Sequence, residues 1–164
     1  MANNTGGYGG NRNAGGYQSG GRPQNRRDQY GYNHYEDSAP RVIQPKKLPD
    51  DFVDIAERHM KECCRYITTS KIRNLLSLVV DSYQLESRRN AATIHPDTAE
   101  ALTNMRIRVV YEMGRDDRST GSFVRETELL QYLAGIQGDR KSLLRFFHYM
   151  EALVAYHKYW GGRD

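Results

Sequence analysis

The stretch SKIRNLLSLVVDSYQLE, residues 70–86, decides the fold. Ile72, Leu75, Leu76, Val79, Val80 and Tyr83 recur at i, i+3, i+4 and i+7, the spacing that lays apolar side chains along one face of a helix. The same periodicity continues on both sides. Upstream, Pro49 with Asp50 and Asp51 makes a helix start, and FVDIAERHMKECC from residue 52 places Phe52, Ile55, Ala56 and His59 along one side. Downstream, His95-Pro96-Asp97 opens a third helix with proline at its first position, running to about Met113 before Gly114. The loop GRDDRSTG leads to a fourth helix from about Ser122 to Ile136, and Gly138 and Asp139 end it and cap a fifth that reaches Gly161. No stretch sustains period-two alternation. The expected fold is all-α, a compact bundle of about five helices whose short connections favour antiparallel neighbours.

Residues 1–47 read differently. They hold nine of the 15 glycines and five of the 12 tyrosines, with few aliphatic residues before Val42. Such a segment has too little apolar surface to offset its ordering entropy, so it is expected to be a disordered Gly/Tyr/Asn/Arg-rich tail ahead of a helical domain at 48–164. The tail carries seven Lys and Arg against three Asp and Glu, which accounts for the net charge of +4 of the whole chain. The helical domain is neutral, so a nucleic-acid surface on it has to come from local clustering. No apolar run approaches a membrane span, and the first residues carry no secretory signal. The two cysteines, Cys63 and Cys64, are adjacent, a spacing that suits neither a disulfide framework nor a metal site. A cytoplasmic protein without cofactor or membrane partner is the expectation.

The fifth helix contains FFHYMEALVAYHKYWGG, residues 146–162. At about 100° per residue it splits into two faces. Leu143, Phe146, Phe147, Met150, Leu153, Val154 and His157 form an apolar arc, with His157 expected as a hydrogen-bonded core histidine. Lys141, Arg145, His148, Ala152, Tyr156 and Tyr159 lie opposite, a basic and aromatic stripe suited to a phosphate backbone or a partner subunit. His148 and His157 fall on opposite faces and cannot share a metal.

The second helix opens on TTSKIRN, with Lys71 and Arg73 in its first turn. Cations there oppose the helix dipole by tenths of a kcal/mol up to roughly 1 kcal/mol each. Hydroxyls, free amides and two cations together would make a cradle for phosphate. In MRIRVVYEMGR, residues 105–115, Arg106 falls within the arc of Ala99, Leu102, Val110 and Met113 and needs an anion or a route to solvent. Arg108, Arg115, Arg118 and Arg125 then crowd the end of that helix, the loop and the next helix start. Arginine without lysine suits bidentate phosphate contacts. His95-Pro96-Asp97 matches the tripeptide of J-domain co-chaperones, but here the proline simply begins a helix. No nucleophile with its base, zinc motif or glycine-rich phosphate loop is present, so no enzyme is expected.

ITTSKIRNLLSLV, MRIRVVYEMGR and FFHYMEALVAYHKYWGGRD, in that order, resemble the small subunit of type III-A CRISPR–Cas effector (Csm) complexes. The closing phrase EALVAYHKYWGGRD is the most specific, and the likeness covers about residues 50–164. The resemblance implies a non-catalytic all-α subunit of an antiviral defence complex, present in more than one copy along a filament of backbone subunits and lining the channel of crRNA and target RNA. It leaves RNA cleavage to the backbone subunits and DNA cleavage to the large subunit. It carries RNA contact onto Lys71, Arg73 and Arg115, with Arg108 and Arg118 nearby. For Lys141 and Arg145 only the helix stripe argues. The competing expectation is a protein-binding helical scaffold or co-chaperone-like adaptor without RNA contact.

Overall fold

The computed structural model describes Gly9 and residues 42–164. Gly9 apart, the expected tail up to residue 41 lies outside the described residues. The helices are α1 (Phe52–Cys63), α2 (Thr69–Ser87), α3 (Pro96–Arg115), α4 (Ser122–Glu126), α5 (Leu129–Ala134) and α6 (Arg140–Tyr159), with a single π turn at Asp117–Gly121 between α3 and α4. Among the described residues the only extended pairing is an isolated bridge between Thr93 and Asp139. The all-α expectation holds, and three of its caps are formed by side chains. Thr68, His95 and Asp139 accept the amides of Lys71, Asp97 and Ser142 at the starts of α2, α3 and α6. Each such cap is worth about 1 kcal/mol.

The core is built on α6. Leu143, Phe146, Phe147, Tyr149, Met150, Leu153 and His157 are buried, and α1 and α2 make the principal contacts with this helix. Burying each large apolar side chain contributes about 2 kcal/mol. Phe147 stacks on Tyr83 of α2 with ring centroids 3.9 Å apart. His157 is the core histidine expected of it, its Nε2 lying 2.9 Å from the Ile67 carbonyl. The outermost long helix is α3, in which Thr98, Met105 and Val109 are buried. Its inner face is turned from the arc expected in the sequence, so Arg106 and Val110 are exposed. Arg106 meets its need for solvation in water.

Two features depart from the sequence expectation. The fourth helix is broken into α4 and α5, because Glu128 takes a left-handed backbone (φ 50°). Thr127 Oγ1 donates one turn back to the Phe123 carbonyl at 2.9 Å, and a tertiary partner holds the break: the wholly buried Tyr149 hydroxyl donates to the Thr127 carbonyl at 2.8 Å. The second feature is a strap. Residues 42–47, on the tail side of the expected boundary, lie against the helices. The Lys46 amide donates to the Gln131 carbonyl at 3.0 Å, its ammonium pairs with Glu128, and Ile43 packs on the core. Gly135 leaves room for this strap, since a Cβ there would collide with the Lys46 carbonyl. A chain starting at residue 42 should therefore match the full chain in thermal unfolding. One starting at residue 48 should unfold roughly 5 °C lower, for a loss of about 1–2 kcal/mol. Equal midpoints for the two truncated chains would show that the strap contributes nothing.

The carboxylate of Glu86 is wholly buried and joins three segments. It accepts from Arg89 at 2.7 Å, from the His95 amide at 2.7 Å and from the Thr98 hydroxyl at 2.7 Å. Arg140 Nε, at the start of α6, donates to the Glu86 carbonyl at 2.6 Å. Burial works against ionisation of Glu86. The hydrogen bonds from His95, Thr98 and Arg89 outweigh it and hold the carboxyl below the ordinary carboxylate range. His95 thus serves as a helix cap and a backbone donor to Glu86, which is its part in this fold.

Candidate nucleic-acid interface

Both ends of α2 carry the charge that a helix dipole disfavours, with Lys71 in the first turn and Glu86 in the last. Glu86 is met by its three donors. Lys71 is met by Asp116, whose Oδ2 lies 2.7 Å from Nζ, with Ser119 Oγ at 3.3 Å. Asp116 also accepts from the amide and hydroxyl of Thr120, so it ties the start of α2 to the π turn. The Lys71 ammonium, aided by Thr120, holds the Asp116 carboxyl down at about 2.

The expected phosphate cradle at TTSKIR is therefore already filled by the chain itself. The Thr69 amide donates to the Arg163 carbonyl at 2.8 Å and its hydroxyl to the same oxygen at 3.1 Å, while Thr68 takes the Lys71 amide. Gly161 makes this return possible with a left-handed φ of 75°. Gly162 lies flat on the His157 ring, where a Cβ would collide with the imidazole. The closing GGRD is thus a clasp that brings the chain end back onto the start of α2, 94 residues away in sequence.

The other candidate residues divide by what they touch. Arg145 donates to the Pro49 carbonyl at 2.7 Å, pairs with Asp50 at 2.7 Å and lies over the Phe52 ring, bracing α1 on α6. Arg125 pairs with Asp117 at 2.6 Å and donates to its carbonyl, bracing the π turn. Both have a structural duty that neither the α6 stripe, for Arg145, nor the arginine cluster, for Arg125, revealed. His148, from the same stripe, pairs with Glu151 at 2.9 Å. Arg115 pairs with Glu112 at 2.7 Å but stays largely exposed. Arg73, Arg108, Arg118 and Lys141 are exposed and make no ion pair among the described residues.

The structure brings Lys71, Arg108 and Arg115 together. They line a groove of about 290 Å³ between α2 and α3, with Asn74, Ser77 and Thr120 as further polar groups. Residues 37 positions apart in the chain meet here because α2 and α3 are packed neighbours. Arg108 is the member with no carboxylate partner, and Glu112 and Asp116 offset the other two cations. Arg73, Arg118 and Lys141 do not line it. Asn74 and Ser77 escaped the sequence reading; the signal was their position on the polar side of α2, one turn apart. Ile107, Val110 and Tyr111 expose apolar surface on α3. Among the described residues there is no cluster of His, Cys, Asp and Glu that could hold a metal, and no helix long and apolar enough to cross a membrane.

A small all-α module with a polar, arginine-bearing groove is the class that this geometry defines. Residues 46–163 match the family described as Csm2 Type III-A, and the chain belongs to that family. It is 40% identical over 121 residues to a CRISPR system Cms protein Csm2 of Mycobacterium tuberculosis (strain CDC 1551 / Oshkosh), covering 71% of this chain and 97% of the relative. A protein of the same name from Streptococcus thermophilus is 35% identical over 121 residues, covering 70% and 95%. A third, from Enterococcus italicus, is 30% identical over 96 residues, covering 57% and 68%. The family match begins at Lys46, the residue that anchors the strap.

Proposed function

We propose that the chain is a non-catalytic small subunit of a type III-A CRISPR RNA-guided effector complex in antiviral defence, and that its α2/α3 groove contacts RNA phosphates. The observation that carries this reading is the convergence of Arg108 and Arg115 with Asn74 and Ser77 in one groove of a Csm2-family chain. Guanidinium groups bind phosphate oxygens in pairs, and amide and hydroxyl groups add donors. Such contacts carry no base identity, which suits a channel that must accept any guide and target. Its partners would be crRNA and target RNA, the backbone and large subunits, and further copies of itself. The exposed Ile107, Val110 and Tyr111 of α3 favour close subunit packing.

Arg108 is the residue to test, because its removal breaks no ion pair among the described residues. In the assembled complex, Arg108→Glu should weaken target-RNA retention about equally for unrelated sequences. It should also flatten the salt dependence, by roughly 0.7–0.9 in log–log slope for each phosphate that is no longer neutralised. Unchanged retention and slope in an intact complex would rule the groove out. Failure of the complex to assemble would show instead that Arg108 faces a protein neighbour.

A further inference from the structure

Where α1 ends and α6 finishes, three rings stand exposed: Tyr66, Tyr159 and Trp160. Trp160 is held in place on its backbone, its amide donating to the Tyr156 carbonyl at 2.9 Å and its carbonyl accepting from Cys64 Sγ at 3.5 Å. Tyr159 meets its indole edge to face at 5.1 Å, and Lys61 Nζ lies 5.6 Å from the ring centre. A cavity of about 540 Å³ opens between Trp160 and Tyr66, lined also by Lys61 and Arg65. Neither cation has a carboxylate partner among the described residues; Glu62 is the one acid of the lining.

We infer that this end of the bundle is a second nucleic-acid contact, separate from the α2/α3 groove, on which a base of single-stranded RNA stacks between Trp160 and Tyr66 while Lys61 and Arg65 take the flanking phosphates. The inference rests on the reading of the chain as an RNA-contacting subunit. Stacking on aromatic rings tolerates any base, because every base has a π-face. A ring whose backbone is already fixed loses little freedom on binding. The rim also decides between classes of partner. Two cations with no carboxylate partner among the described residues border the cavity, which suits the phosphates that flank a stacked base.

Trp160 is the only tryptophan of the chain and reports its own contacts. The full chain, titrated at low salt with an oligouridylate of about a dozen nucleotides, should show quenching of Trp160 fluorescence. Trp160→Ala and Tyr66→Ala, each with an unchanged unfolding midpoint, should weaken binding of the labelled oligonucleotide about tenfold. An oligomer of equal length without bases should bind the native chain and Trp160→Ala alike. An unquenched Trp160 at saturation, absence of binding by the free chain, or native affinity in both variants would overturn the proposal. So would loss of a protein subunit from the complex of Trp160→Ala with oligonucleotide affinity unchanged. The groove fails separately: if Trp160 is quenched but Arg108→Glu alters no RNA binding in the complex, the platform stands and the groove reading falls.

Discussion

Glu86→Ala should cost about 3 kcal/mol of folding stability, the penalty of breaking a buried charged network by removing one partner. The side chain is wholly buried, and its loss strands the His95 amide, the Thr98 hydroxyl and the Arg89 guanidinium. For a domain of this size the midpoint should fall by about 10 °C. Glu86→Gln separates charge from shape. Its folded-state carboxyl is depressed, so the stability it contributes is fully present above the unfolded value of 4.5 and fades as pH falls through the lower folded value. The gap between the native chain and Glu86→Gln should therefore be wide at neutral pH and narrow below about pH 4.5. Thermal unfolding across pH measures it. A gap that stays constant down to strongly acid pH would show that the Glu86 charge contributes nothing.

Gly162→Ala should be nearly as damaging, at about 2–3 kcal/mol. The added Cβ would collide with the His157 ring, and that ring is wholly buried, so it has nowhere to go. The clasp must lift instead. The Thr69 amide is then parted from the Arg163 carbonyl, and hydrogen exchange at Thr69 should accelerate along with the loss of stability. Gly161→Ala is the control: a Cβ there meets nothing within 4 Å, and only the left-handed φ of 75° resists it. That strain is worth roughly 1 kcal/mol. If Gly162→Ala costs no more than Gly161→Ala, the contact with His157 is not what holds the clasp.

The closing GGRD shows how a motif can be legible while its reason is hidden. As sequence, EALVAYHKYWGGRD pointed to a family that the comparisons bear out. Why two glycines stand together there is visible only in space: one turns the chain, and the other lets it lie on a buried histidine. The charged residues show the converse. Lys71 at the start of α2 was read as waiting for an external anion, and Asp116 supplies one from within. The basic stripe of α6 gave Lys141 and Arg145 equal standing, yet Arg145 is committed to Asp50 and Pro49 and Lys141 pairs with no acid among the described residues.

Helical periodicity, side-chain caps and proline placement are local properties, readable over a few residues, and they set α1, α2, α3 and α6 close to their observed bounds. The fate of a charge is not local. Lys71 finds Asp116 across 45 positions, Lys46 finds Glu128 across 82, and Arg145 finds the Pro49 carbonyl across 96. The same holds for the break at Glu128, where partners from α6 and the strap override a continuous helical pattern. The sequence by itself determined an all-α chain of the Csm2 family. Which of its cations remain open to a phosphate was decided by the tertiary structure, because an ion pair depends on distance in space and periodicity only on distance along the chain.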